Sequence, residues 1–133
     1  MSYEAIRQDI FSAFSQPYWS ANGIRVYPAT HSGPLGAPPH IIVNYLLNSP
    51  KYHSHMAKKE YSGMAIFQVM VPRPNGYKDL SIIAQTLDTY FQATRFPLGT
   101  EFGLSHIDIV GVDKVDKNLF RGDYRINFKL FGE

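Results

Sequence analysis

The stretch from Tyr61 to Val71 constrains this chain more than any other. It alternates in steps of two, yet both of its faces are apolar. Ala65, Phe67, Val69 and Val71 fall on one side, and Met64, Ile66, Gln68 and Met70 on the other. Side chains of a strand point alternately to opposite faces, so such a segment has to be covered on both sides or belong to a sheet with a spare oily surface. Pro72 and Pro74 stop it, because proline removes a ladder donor.

The surrounding pattern gives the remaining elements. Tyr3, Ile6, Ile10, Ala13 and Phe14 recur at helical spacing, which predicts an amphipathic helix from Tyr3 to Ser15 with Ser2 as N-cap and Pro17 as terminator. Ile24 to Tyr27 reads as a short strand. The proline-rich run Pro28 to Pro39 reads as a loop, and Ile41 to Leu47 as a strand apolar on both faces. Asn48 to Glu60 is polar and basic and reads as a long connection. Asn75 and Gly76 open a second helix with Tyr77, Leu80, Ile83, Ala84, Leu87 and Phe91 as its stripe. Leu104 to Val112 reads as a strand and Asp113 to Asp123 as a polar connection. Tyr124, Ile126, Phe128 and Leu130 alternate with Arg125, Asn127 and Lys129 as a half-buried antiparallel strand. The order α-β-β-β-α-β-β predicts an α+β domain: a mainly antiparallel sheet, grouped as a meander, with two helices packed against it. At 133 residues the chain fits one domain, residues 1–133.

Composition narrows the chemistry. Cysteine is absent, which removes disulfides, thiolate metal sites and thiol nucleophiles. Thirteen basic against eleven acidic side chains leave a net charge of +2, too balanced to call for nucleic acid. No apolar run reaches the ~20 residues of a membrane helix, and no signal-peptide pattern opens the chain, so neither membrane insertion nor export is expected.

Catalytic and metal motifs are weak. Gly33-Pro34-Leu35-Gly36 lacks the phosphate-loop ending. Gly103-Leu104-Ser105-His106 resembles a nucleophile elbow, but Ile107 stands where the second glycine belongs, and Ser105 and His106 would point to opposite faces of a strand. His53 and His55 lie at metal-ligand spacing without a third ligand nearby. Asp108, between Ile107 and Ile109, is a candidate for a buried, perturbed carboxylate without a paired acid. Arg121-Gly122-Asp123 reads as a turn before the last strand. No catalytic residue, cofactor or metal is expected.

Two short helices cover one face of a sheet. The surplus apolar face and the basic loop are therefore the candidate protein interface: Lys51, His53, His55, Lys58 and Lys59 on the loop, with Met64, Ile66 and Met70 on the strand. Two other readings compete. One is an oligomeric enzyme or small-ligand binder with a pocket between sheet and helices near His106 and Asp108. The other is a nucleic-acid module using Lys51, Lys58 and Lys59, whose affinity would fall steeply with salt.

In element order and spacing the chain resembles the phage tail terminator and tail-completion family, of the minor tail protein U type. The likeness rests on the first helix leading into Val26-Tyr27-Pro28 and on the step Pro39-His40-Ile41-Ile42-Val43. It continues through Tyr61-Ser62-Gly63 opening a strand with Phe67-Gln68-Val69, then Gly76, the second helix and Phe91, and two closing strands. It spans nearly the whole chain but includes no diagnostic motif. The Pro28–Pro39 and Asn48–Glu60 loops depart from the pattern. The resemblance implies a non-enzymatic virion protein of the tail or neck, made in the host cytoplasm. Such a protein forms a ring, often a hexamer, that caps the tail tube, stops its polymerisation and meets the head–tail connector.

Overall fold

The computed structural model describes residues 2–13, 24–28, 39–48, 51–53, 58–93, 100–115 and 117–132. Helix α1 (Ser2–Ala13) is followed by strands β1 (Arg25–Pro28), β2 (His40–Leu47), β3 (Lys51–His53) and β4 (Lys58–Pro72). A 3₁₀ turn (Arg73–Asn75) leads into helix α2 (Gly76–Ala93), and β5 (Glu101–Val112) and β6 (Leu119–Gly132) finish the chain. The α+β class and the two-helix, mainly antiparallel architecture are those the sequence predicts. The loops at Pro17, Gly33–Gly36 and Pro97 lie outside the described residues.

The sheet runs β1-β2-β4-β6-β5, with β3 paired to β4 beyond the end of β2. Only β1 and β2 are parallel; the other pairs are antiparallel. This is not the plain meander expected. The last strand inserts between β4 and β5, because its alternating apolar residues need neighbours on both sides, and Phe67 and Ile107 both lie opposite Tyr124. Within the expected connection 48–60, residues 51–53 and 58–60 form strand pairs that composition did not signal. Lys51↔Glu60 and His53↔Lys58 pair as a hairpin that prolongs β4. Likewise β6 begins at Leu119, not Tyr124, so Arg121-Gly122-Asp123 lies inside a strand and not in a turn. Phe120 draws this segment into the core.

Both helices pack on one face. Ile6 and Ile10 of α1 and Leu80, Ile83, Ala84, Leu87, Tyr90 and Phe91 of α2 join one cluster with the sheet. The sheet contributes the odd-numbered residues of β2 and β4 (Ile41, Val43, Tyr61, Ala65, Phe67, Val69, Val71) and the even-numbered residues of β6 (Phe120, Tyr124, Ile126, Phe128, Leu130). The change of parity follows from the register, which sets Val43 opposite Phe67 and Phe67 opposite Tyr124. Aromatic rings dominate the middle of this layer: Phe67 lies 5.4 Å from Phe91 and 5.8 Å from Tyr124, in tilted arrangements favoured by ring quadrupoles.

Two polar anchors, one buried and one partly buried, tie the helices to the sheet. Asp9 of α1 accepts hydrogen bonds from the backbone N–H (3.1 Å) and hydroxyl (2.6 Å) of Thr100, just before β5. Asp88 of α2 accepts from the Ser105 hydroxyl and from the Tyr124 hydroxyl, the latter at 2.5 Å. Burial, reinforced by the Asp88 carboxylate, raises the Tyr124 phenol well above its ordinary pKa of 10. Tyr124 therefore stays a donor throughout the accessible pH range.

Close backbone approach fixes the end of β2. A Cβ on Gly63 would sit 2.1 Å from the Leu46 carbonyl oxygen, an approach only glycine tolerates without moving a strand. Gly63→Ala should therefore destabilise the fold by about 2–3 kcal/mol. Urea titration should show a lower midpoint with an unchanged slope; a midpoint equal to wild type would mean that the strands separate at no cost.

Candidate interaction surface

The face opposite the helices is built in rows across four strands. One row runs Ile42, Gln68, Asp123, Asp108; the next runs Asn44, Ile66, Arg125, His106; and a third runs Leu46, Met64, Asn127. The parity that buries Phe67 and Tyr124 sends all of these side chains the other way. The face divides along its width. The β2–β4 half is mostly apolar, with Ile42, Met64 and Ile66 half-buried and Leu46 exposed. The β6–β5 half is charged.

The charged half is held by ion pairs. Asp123, largely buried, receives Nε (3.1 Å) and Nη2 (3.3 Å) of Arg121. Asp108 lies 3.2 Å from Arg125 Nε and 3.4 Å from His106 Nε2. Asp108 and Asp123 are cross-strand neighbours, and like charges at that spacing repel. An arginine on each carboxylate offsets this. Lys129 and Glu101 sit 3.8 Å apart near the end of the same face, an exposed pair of small energetic weight.

Asp108 is therefore not the buried carboxylate its apolar sequence neighbours imply. Its side chain is 53% exposed and that of His106 is 59% exposed. The two do sit together, but on the solvent side of the sheet and not in a pocket between sheet and helices. Ser105 points the opposite way, onto Asp88, so Ser105 and His106 are split by the strand as their adjacency requires. An open groove of about 570 Å³ runs across the β4, β6 and β5 ends, lined by Asn48, Glu60, Ser62, Glu101, Phe102, Leu104, Asn127 and Lys129. Neither His106 nor Asp108 lines it. Among the described residues no three potential ligands gather as a metal site.

The interface residues expected from sequence fare unequally. Met64 and Ile66 share the apolar half with Ile42, whereas Met70 is buried and offers little surface. Lys51, His53, Lys58 and Lys59 are brought together by the β3–β4 hairpin, on backbone whose side chains are not described; His55 lies outside the described residues. Sequence reasoning missed the partition of the face, since it weighed the two strands apolar on both faces, Ile41–Leu47 and Tyr61–Val71, without the charged strand that lies beside them. Arg121, Asp123, Arg125 and Lys129 alternate in register beside β4, and that alternation was the available signal.

His40 is a second residue not singled out by motif. It is 3% exposed, and neither ring nitrogen has a hydrogen-bond partner among the described residues. Its ring packs edge-on against Tyr27, 6.3 Å between centroids, where the parallel β1–β2 pair borders the open face. Such a site disfavours the imidazolium, and burial lowers the His40 pKa below its ordinary 6.5.

Comparison with protein-family models finds no match, and comparison with curated protein sequences finds none either. The surface chemistry alone thus bears on what the chain does.

Because folded His40 holds a proton less readily than the unfolded chain, its contribution to stability is full above about pH 6.5 and declines as pH falls below that value. His40→Phe, which keeps a ring against Tyr27, should lose less stability than wild type between pH 8 and pH 5 in urea titrations. Identical losses would remove His40 as the source of the acid sensitivity.

Proposed function

We propose that this chain is a structural assembly subunit of a phage or prophage tail. In this reading it is a tail terminator that caps the tail tube as a ring, ends tube polymerisation and presents a surface to the head–tail connector. The observation that carries the reading is where the described helices pack: the apolar half of the other face (Ile42, Leu46, Met64, Ile66) is turned away from both of them. Monomeric proteins rarely leave such a strip without a partner. A ring requires one patch on each subunit to meet a different patch on the next. The apolar strip supplies one such patch. The β3–β4 hairpin, which carries Lys51, His53, Lys58 and Lys59 past the end of β2, supplies a basic second patch for a neighbouring subunit or for the tube. The element order resembles that of tail terminators across nearly the whole chain, which favours this assembly over others.

The test is loss of the gene product from its virion. Electron micrographs should show tails of abnormal length, and Ile66→Lys should reproduce the defect while its unfolding free energy from urea titration stays within about 1 kcal/mol of wild type, as expected for a substitution on a partly solvated face. Tails of normal length without the protein would reject the proposal.

A further inference from the structure

Strand β5 ends the sheet, and no described strand pairs with its outer edge. A long open edge is a template for another strand, and folded proteins blunt it with bulges and charges. Both devices are present. Register shifts fall between Phe102 and Ser105 and between Ile109 and Gly111, leaving residues 105–109 as the regular stretch. Within it, His106 and Asp108 are exposed on the open face and flank Ile107 symmetrically. The bulged segments on either side expose Leu104 (84%) and Val110 (52%), each three positions from Ile107.

This pattern reads the same in charge complement from either end. We propose that β5 pairs with β5 of a second copy of this chain, antiparallel, about a two-fold axis through Ile107. In that register Ile107 faces its own copy, and His106 faces Asp108 of the second copy on both sides of the axis. Leu104 and Val110 then fall beside each other across the contact. The interface is self-complementary, as a two-fold contact must be. A shift that centres the axis on Asp108 sets that carboxylate against its own copy, and a shift onto His106 removes both opposite-charge pairs, so charge selects one register. The charges thus discourage indiscriminate edge pairing while allowing one partner. The contact occupies the β5 edge and leaves the apolar strip and the β3–β4 hairpin free. It is independent of the tail reading, and its failure would leave that reading standing.

Sedimentation over a range of concentrations should show the full chain passing from monomer to dimer. His106→Asp and Asp108→His should each weaken the dimer roughly tenfold, and the double swap should restore it, since it exchanges the partners without changing the register. Crosslinking gives an independent readout in a chain without cysteine. Ile107→Cys should form a disulfide with its own copy under mild oxidation. Leu104→Cys should not, because its symmetry mate lies about 20 Å away along the strand. A monomer at every concentration, failure of the double swap to rescue, or equal crosslinking of the two cysteine variants would overturn the proposal.

Discussion

The structure depends on a sheet whose two described helices both pack on the same side. Cross-strand register aligns Val43, Phe67 and Tyr124 into one row, and every other row follows from it, because side chains alternate strictly along paired strands. Once α1 and α2 settle on that side, the row holding Ile66, Arg125 and His106 lies on the face turned away from these two helices. Core and candidate interface are thus two readings of the same register. A slip of one residue would exchange them.

Two carboxylates fix how the helices sit. A packed apolar layer has little directional preference, whereas a buried carboxylate demands its donors. Asp9 ties α1 to the entry of β5 through Thr100, and Asp88 ties α2 to β5 and β6 through Ser105 and Tyr124. Both anchors reach the β5 side of the sheet, so the strand at the open edge is held firmly from beneath. That matters for an edge meant to meet another surface, since a rigid edge loses less conformational freedom on association.

The open face joins apolar and charged halves along the β4–β6 line. The apolar half can gain from burial in water-excluding contact, while the charged half would contribute selectivity more than affinity. His106 and Asp108, read from sequence as a possible buried site, belong to this second half. Both side chains are more than half exposed on this face, beside Arg125.

The sequence by itself determined the elements. The period of two in Tyr124 to Leu130, the helical stripe from Tyr77 to Phe91 and the stop at Pro72 are local patterns, and local patterns survive without knowledge of neighbours. It also separated Ser105 from His106, because adjacency on a strand fixes opposite faces. Tertiary structure alone decided that β6 lies between β4 and β5, that Lys51–His53 pairs with the start of β4, and that Asp108 is exposed beside Arg125. Those outcomes depend on pairing between residues far apart in the chain, and a strand's own alternation says which residues share a face but not which strand will lie beside it or which face the helices will choose.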